Sequence, residues 1–451
     1  MTASAVHQPA TRTLVWGYGA GSIANSAAAT IPPLLFLYFL TQIVGAPPAV
    51  AGFALLIPQA LDFISTPFIG LWADRMDNPG EGRRKLLRLG LIAVSLGFAG
   101  IFAVPDIGGW VLQLVLATLI YTVMVFGNSL FAVPYLALPA EMTPRNDERT
   151  RFVAARMTFV MIGILVTGSV AQPIVEAFGG GRTGYSALSF VLAVTCALSM
   201  AITLWATKSA PREVRRGPRT SVLSHLKSTA TYGPFRVICA GYLAQAIGLG
   251  CGLGAWPFFA TYVVGDESAV AFMFATAMGV AALTTPVWGR ISSHLGKPLT
   301  YSVGVLLFVA GYGALFLLSN NISMVRILTA MAIAGAGTGA LQLVPFAAVA
   351  DLAREVADRE GAAMAASING LWVAVEKGGF ALSGLVLGLM LMACGFAEGG
   401  GEQSTMAVRG VVIAATLAPC FFILMSAAVL AIHDEWRRGA VALPTTKERL
   451  S

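Results

Sequence analysis

The sequence predicts an all-α polytopic membrane protein with twelve transmembrane helices in two six-helix halves. Its composition is the first reason: 57% of the 451 residues are hydrophobic and only 11% are charged, whereas a soluble domain carries about 25% charged residues. The second reason is spacing. The mean hydropathy is +0.76, and the apolar residues recur along the chain in runs of about 20, the length that an α-helix needs to cross the hydrocarbon core.

Twelve such runs are bounded by charged residues, glycine or proline. They cover residues 14–40, 48–72, 86–105, 109–138, 152–177, 185–206, 237–263, 269–289, 299–318, 324–349, 362–394 and 410–432. The polar opening MTASAVHQPATRT leads into a weakly apolar, glycine-rich stretch rather than a short apolar core with a cleavage site. We therefore expect the first helix to be retained and not removed as a signal peptide.

The basic residues predict the orientation, because lysine and arginine in short loops are retained on the cytoplasmic side. With the N-terminus inside, 25 of the 29 basic residues fall in cytoplasmic segments; the others are Lys377 in mid-helix and Arg182, Arg326 and Arg409 outside. We therefore expect a multi-pass protein of the cell inner (plasma) membrane with both termini in the cytoplasm. This bias also explains the net charge of +7, so we expect no nucleic acid partner.

The sequence lacks the residue patterns that several other classes of protein require. The five cysteines form no CxxC pair, the four histidines lie outside the predicted helices, and no acidic cluster like that of a membrane transferase is present. We therefore expect no metal site, no cofactor and no enzymatic activity. A pore is disfavoured as well, since no ring of like charge is apparent.

Three segments of the first half recur in the second half in the same order and at nearly the same separation. STPFIGLWADR at 65–75 matches TTPVWGRISSH at 284–294, VGAPPAVA at 44–51 matches VGDESAVA at 264–271, and VPYLALPAE at 133–141 matches VPFAAVAD at 344–351. These matches indicate a duplicated six-helix unit. We expect the halves to cover residues 1–207 and 237–433, joined by a basic cytoplasmic linker at 208–236 and followed by a cytoplasmic tail at 434–451.

At LDFISTPFIGLWADRMDNPGEGRRK, residues 61–85, the chain resembles the glycoside-pentoside-hexuronide:cation symporter family, the melibiose permease-like branch of the major facilitator superfamily. Three more stretches look like this family: YFLTQIVGAPPAVAG at 38–52, VPYLALPAEMTPRNDERTRFVAARM at 133–157 and VAVEKGGFALSG at 373–384. The resemblance implies the major facilitator fold and a cation-coupled symporter of a small organic solute, of the sugar or glycoside class, that works by alternating access in the lipid bilayer. We expect it to function as a monomer.

The candidate cation site centres on Asp62. Counted back along the helix from the interfacial Asp74, this residue lies about 18 Å deep, which places it near the membrane midplane. An ionised carboxylate there costs about 2.5 to 3.5 kcal/mol unless it is paired, protonated or bound to a cation. We therefore expect Asp62 to couple cation movement to transport. The alternative is a fixed salt bridge to Lys377, at similar depth, and the resemblance places the lysine of the KGG motif close to the cation site.

The coupling ion is predicted from a departure from the family pattern. The family's second acidic residue is Thr66 here, which removes one of two charges from a sodium cage, whereas a proton needs only one carboxylate. This favours H⁺, although the hydroxyls of Ser65 and Thr66 keep Na⁺ as an alternative. Glu376 points about 100° away from Lys377 around the helix. We place Glu376 outside this site, either facing the other side of the bundle or bonded to a hydroxyl while protonated.

The solute site departs from the family further. Two carboxylates that bind sugar hydroxyls in the family align with Ser26 and Ala132, and the stacking tryptophan aligns with Leu136, so we do not expect melibiose itself to be the solute. The arginine at Arg156 is retained and, with Lys377, leaves room for a carboxylate. The candidate solute ligands are the remaining polar and aromatic side chains, namely Tyr18, Asn25, Ser26, Asn128, Tyr135, Arg156, Trp256 and Trp372. An alternative function is a proton-driven exporter, or a carrier of a non-sugar, amphipathic or carboxylate-bearing solute.

Charged residues at the cytoplasmic helix ends form a third group. We expect them to pair between the halves when the inner side is closed, and thereby to bias a two-state gate whose states differ by a few kcal/mol. Exposed pairs contribute only about 0 to 1 kcal/mol each, so the network matters rather than any one pair. Its predicted members are Asp74, Arg75, Arg84, Glu141, Arg149, Asp351 and Arg359.

Overall fold

The computed structural model describes residues 11–75, 79–143, 145–208, 233–319, 323–360 and 362–431. Within these ranges the chain forms helices, which we number α1 to α12. The first, α1, consists of Arg12–Ala20 and Ser22–Ile31 followed by two π-helical turns, Pro32–Phe36 and Phe39–Ile43. The others are α2 (Pro48–Arg75), α3 (Pro79–Ile101), α4 (Gly109–Met142), α5 (Asn146–Ala177), α6 (Gly181–Ala206), α7 (Gly233–Phe259 and the π-helical turn Ala260–Val264), α8 (Ala269–Leu295), α9 (Lys297–Leu317), α10 (Met324–Glu360), α11 (Ala362–Ala393) and α12 (Thr405–Ala431).

Each predicted helix has its counterpart, which confirms the all-α, twelve-helix prediction. In the described part of the chain, ten helices are long and apolar enough to cross a membrane. The two that fall short have simple reasons. α1 is divided into short segments, and α3 begins with the charged sequence GEGRRK.

Contacts divide the chain into two compact units. Unit 1 contains Met1–Pro32 and Ile57–Pro218, and unit 2 contains Pro33–Leu56 and Arg219–Ser451. The unit boundaries therefore cut through α1 and α2, and the end of α1 packs in unit 2, where the Tyr38 hydroxyl lies 2.9 Å from the Thr261 hydroxyl. The predicted division of the sequence at residues 207 and 237 concerns the repeat rather than these packing units, and it stays a prediction. Most of the linker and the tail, at residues 209–232 and 432–451, lie outside the described residues.

The ends of α1 and α7 repeat each other in detail. Pro32, Pro33 and Pro257 lack the backbone N–H that an α-helical ladder needs, and each helix widens into π-helical turns at or just after its prolines. The turn that follows contains Gly45 with φ 78° in the first case and Gly265 with φ 77° in the second, a region that favours glycine. These glycines occupy equivalent positions in the repeated segments VGAPPAVA and VGDESAVA.

Close approach of α9 to α10 depends on Gly311, and this contact predicts a measurable stability difference. A Cβ atom on Gly311 would lie 2.5 Å from the backbone nitrogen of Ala334, whereas one on Gly313, two residues later on the other side of the same helix, would meet nothing within 4 Å. Gly311→Ala forces the helices apart, so we expect it to destabilise the protein by about 1 to 3 kcal/mol. Gly313→Ala only gains helix propensity, about 1 kcal/mol at most.

Thermal unfolding of the purified variants in one detergent measures this difference. We expect a lower Tm for Gly311→Ala and an unchanged or higher Tm for Gly313→Ala. Equal Tm values for the two variants would contradict the packing of α9 against α10.

Candidate functional site

The site is built around Asp62, which lies on α2 in unit 1 and is only 2% exposed. Ser129 on α4 donates a short hydrogen bond to the Asp62 carboxylate. Thr66, one turn after Asp62, donates to the Asp62 carbonyl at 2.8 Å, and its hydroxyl lies 3.4 Å from the same carboxylate oxygen. The Thr66 and Ser129 hydroxyls are 3.3 Å apart. A buried carboxylate is thus held by hydroxyl groups from two helices.

Of the two hydroxyls predicted beside Asp62, only one reaches the carboxylate. The Ser65 hydroxyl donates to the Asp62 backbone carbonyl at 3.2 Å, so it bonds to the helix backbone instead. Sequence reasoning missed Ser129. A signal for it exists in the repeat, because the register that pairs Glu141 with Asp351 also pairs Ser129 with Gly339, so the position is polar in one half only.

The equivalent contact in unit 2 has no ionisable group. When the repeats are aligned so that Thr66 matches Thr285, Asp62 matches Ala281. A Cβ atom on Gly339, the counterpart of Ser129, would lie 3.0 Å from the Ala281 carbonyl oxygen. α8 and α10 therefore pack through small residues at the point where α2 and α4 enclose a carboxylate.

An open groove of about 600 Å³ leads to Asp62 between α2 and α4. Its polar side chains are Asp62, Ser65 and Thr122, and the rest of its lining is apolar. Most of the apolar side chains on the α2 side are exposed, among them Leu61, Ile64, Phe68 and Trp72. The groove gives the buried carboxylate a short path to its surroundings within unit 1.

Tyr18 and Tyr135 are buried and stack on each other with their ring centroids 4.6 Å apart. The Tyr135 hydroxyl donates to the Tyr18 carbonyl at 2.9 Å and lies 2.8 Å from the Ser22 hydroxyl. Both contacts join α1 to α4. The Tyr135 ring also stacks on Phe131 at 5.4 Å, so both rings are used in packing and their role as solute ligands stays a prediction.

Ser26 is also used in packing. Its hydroxyl donates to the Val160 carbonyl at 3.1 Å, and its Cβ would lie 2.8 Å from a Cβ atom on Gly163. The predicted solute ligand Ser26 thus lies in the contact of α1 with α5. Its role as a solute ligand stays a prediction.

Unit 1 also holds polar atoms with no partner. Among the described residues, the Asn25 and Asn128 carbonyl oxygens and the Arg156 Nε atom are buried and accept or donate no hydrogen bond. Leaving such groups unpaired costs about 1 to 3 kcal/mol each. They lie on α1, α4 and α5, the helices that the contacts of Tyr135 and Ser26 join. These three groups are available to bind a polar solute.

In unit 2, the two predicted tryptophans are both buried. Trp256 contacts Phe274 edge-on at 6.1 Å, and Trp372 stacks on Tyr242 at 3.9 Å. Lys377 lies on α11 and is partly buried. It belongs to a different unit from Asp62, so its pairing with Asp62 stays a prediction.

The charged helix ends form ion pairs inside each unit. Glu141 pairs with Arg83 in unit 1, and Asp351 pairs with Lys297 in unit 2. Glu141 and Asp351 end the matching segments VPYLALPAE and VPFAAVAD. An equivalent ion pair therefore joins α3 to α4 in unit 1 and α9 to α10 in unit 2. Sequence reasoning found the acidic members but did not predict that Arg83 and Lys297 are their partners within each unit.

Two further residues predicted for the gate bond to backbone. Arg149 donates to the Thr143 carbonyl at 3.0 Å, and Arg84 donates to the Leu204 carbonyl at 3.5 Å. The side chains of Asp74, Arg75 and Arg359 lie outside those that the structure describes. Ion pairing between the halves stays a prediction.

Comparison with known proteins adds relatives along the whole chain. Residues 17–433 match the family profile described as MFS/sugar transport protein. The uncharacterized symporter YnaJ of Bacillus subtilis is 25% identical over 91% of this chain and 89% of its own length. The isoprimeverose transporter of Lactiplantibacillus pentosus is 21% identical over 84% of this chain and 80% of its own. A putative 2,3-dihydroxypropane-1-sulfonate exporter of Escherichia coli is 22% identical over 65% of each chain.

Among solved structures, a bacterial homologue of the human lysosomal transporter Spinster, inward-facing and unoccupied, is similar in fold. Its TM-score is 0.69 at 16% sequence identity, covering 95% of this chain and 96% of that one. At this identity the likeness concerns the fold alone.

Proposed function

The chain belongs to the MFS/sugar transport protein family, and from that premise we propose that it is a proton-coupled symporter of a small organic solute. The match confirms the resemblance to the glycoside-pentoside-hexuronide symporters and the major facilitator fold. The family and its relatives are transporters, so the chain is a multi-pass membrane transporter and not an enzyme. The ion, the solute and the direction are the proposal.

Asp62 is the observation that carries the proposed coupling. A membrane-embedded carboxylate is costly while it is charged, and the hydroxyls of Ser129 and Thr66 that are described at its oxygen atom are neutral groups. A proton neutralises Asp62 fully. Na⁺ is the second candidate for the coupling ion, because the same hydroxyls offer it oxygen ligands. In either case, binding removes the charge that opposes movement of α2 through an apolar environment.

A solute of the sugar or glycoside class is supported by the isoprimeverose transporter among the relatives. Asn25 and Asn128 offer it buried carbonyl oxygens that accept no hydrogen bond among the described residues and can accept from its hydroxyl groups. This site differs from that of a melibiose carrier, since two carboxylates and a tryptophan are replaced.

A second candidate is an exporter or carrier of a small anion. It is favoured by Arg156, a guanidinium whose buried Nε has no partner among the described residues and which suits a carboxylate or sulfonate, and by the sulfonate exporter among the relatives. In both cases we propose a plasma-membrane protein that works as a monomer, with both termini in the cytoplasm and ion pairs between the halves on the inner side.

Uptake into proteoliposomes separates these proposals. Either a pH gradient or a sodium gradient is imposed at fixed membrane potential, with isoprimeverose and 2,3-dihydroxypropane-1-sulfonate as the two probes. We expect the pH gradient alone to drive accumulation of one probe, the sugar if the first candidate is right and the sulfonate if the second is. Stimulation by sodium with no response to the pH gradient would overturn proton coupling.

A further inference from the structure

Glu376 is a membrane-embedded acid that the coupling site at Asp62 does not use. It lies on α11, one turn after Trp372, and its carboxylate accepts a hydrogen bond from the Tyr242 hydroxyl of α7 at 3.0 Å. The Tyr242 ring stacks on Trp372, and Phe346 of α10 packs edge-on against both rings, with its centroid 5.6 Å from that of Trp372. Among the described residues, the indole N–H of Trp372 has no hydrogen-bond partner.

The repeat shows which position Glu376 occupies. A Cβ atom on Gly17 would meet Ala206, and one on Gly241 would meet Leu430, so α1 and α6 recur as α7 and α12 at one common separation. The contact between Ser26 and Gly163 recurs with exchanged residues as Gly250 and Ser383. Ser26 corresponds to Gly250 at the same separation of 224 residues as Gly17 and Gly241, whereas Gly163 corresponds to Ser383 at a separation of 220 residues. α5 therefore recurs as α11 at this second separation.

These two separations pair two clusters residue by residue. Tyr18 corresponds to Tyr242 and Phe152 to Trp372, and the rings touch in both units, at 5.5 Å in the first and 3.9 Å in the second. At the separation that relates α5 to α11, Arg156 corresponds to Glu376. Arg156 lies within electrostatic reach of Tyr18, as Glu376 does of Tyr242. One polar position is thus occupied by a fixed cation in unit 1 and by a titratable acid in unit 2.

The surroundings of Glu376 are mostly apolar. The ionisable groups that face its cluster are Tyr242 and Cys239 from α7, with Tyr301 of α9 behind Tyr242. α10 contributes the apolar Phe346 and Val349, and the described residues of α12 contribute no ionisable group to the cluster. On α11 itself, Lys377 acts on Glu376 electrostatically but leaves the helix about 100° away.

We propose that Glu376 is a second proton-binding site, built into the α7–α11 contact of unit 2. The ionised carboxylate is held by the Tyr242 hydroxyl, and a proton taken up from water converts it to the neutral acid, so the charge beside the Tyr242 and Trp372 rings is removed. A carboxylate in a membrane span is costly while it is charged, and uptake of the proton removes that cost. Only its use in transport rests on the proposed function; the titration itself requires no solute.

The proton site is tested with purified full-length protein in detergent and without solute. Tryptophan emission and proton uptake are recorded as the pH is lowered. We expect the wild type to show an emission step that is abolished in Glu376→Gln and in Trp372→Phe, and Glu376→Gln to take up one proton fewer. The emission step should persist in Asp62→Asn. It should also persist in Glu402→Gln, because the Glu402 side chain is exposed in a loop.

An unchanged emission step and unchanged proton uptake in Glu376→Gln would overturn the proposal. If Glu376→Gln does not fold, infrared difference spectra of the wild type and of Tyr242→Phe replace it. A carboxylic acid band that appears as the pH falls and shifts in Tyr242→Phe supports the site. A spectrum with no band that responds to Tyr242→Phe overturns it. Because no solute is present, failure of this site and failure of the proposed transport function are distinguishable.

Discussion

Replacing Asp62 with asparagine is expected to abolish gradient-driven accumulation while leaving exchange of the solute intact. Asparagine has the same shape and keeps the contacts with Ser129 and Thr66, but it binds no proton. The solute cavity therefore persists without its link to the ion gradient. In proteoliposomes under a pH gradient, the ratio of internal to external solute should fall to one, and counterflow with equal solute on both sides should continue.

Two matched variants sharpen this result. Ser65→Ala removes a neighbouring hydroxyl that bonds only to backbone among its described contacts, so it should accumulate solute as the wild type does. Ser129→Ala removes a direct partner of the carboxylate and should lower accumulation relative to the wild type. Wild-type accumulation by Asp62→Asn would show that another group couples transport to the gradient.

Replacing Arg156 with glutamine is expected to weaken solute binding without uncoupling transport. A hydrogen bond to a charged group contributes about 1.5 to 3 kcal/mol, which corresponds to about a 10- to 150-fold loss of affinity. The loss should be larger for 2,3-dihydroxypropane-1-sulfonate than for isoprimeverose, because only the sulfonate carries a charge. Binding is measured by protection from thermal unfolding as a function of probe concentration.

The control for Arg156 is Arg151→Gln on the same helix, whose side chain is exposed. It removes the same charge and should leave both affinities within about twofold, since surface charges at this distance are screened. Equal affinity of wild type and Arg156→Gln for both probes would remove Arg156 from the solute site.

Hydropathy predicted the helices well because the membrane imposes a length on each apolar run. It predicted their ends less well. α10 continues to Glu360, well beyond the predicted end at residue 349, because its last turns ADLAREVADRE are charged but contain no helix breaker. The π-helical turns of α1 and α7 follow from prolines whose effect on the ladder depends on the neighbouring helices.

The candidate site was predicted in part. Asp62 and Thr66 share one helix and lie one turn apart, so their contact follows from the helical period. Ser129 lies on another helix, far along the chain, and no local pattern predicts which side chain of that helix faces Asp62. The same reason explains why Arg83 and Lys297 were missed as partners of the acidic helix ends. The hydroxyls of Ser26 and Tyr135 were assigned to a solute because the sequence does not show that backbone carbonyls already accept from them.

The decisive measurement is solute-driven proton movement in proteoliposomes, with wild type and Asp62→Asn compared at equal protein density. Internal pH is followed by a trapped dye after isoprimeverose or 2,3-dihydroxypropane-1-sulfonate is added outside, with no ion gradient imposed. A proton-coupled symporter that uses Asp62 predicts internal acidification with one probe in the wild type and none in Asp62→Asn, although both take up that probe. Equal acidification in the two proteins, or uptake by the wild type with no proton movement, would contradict it.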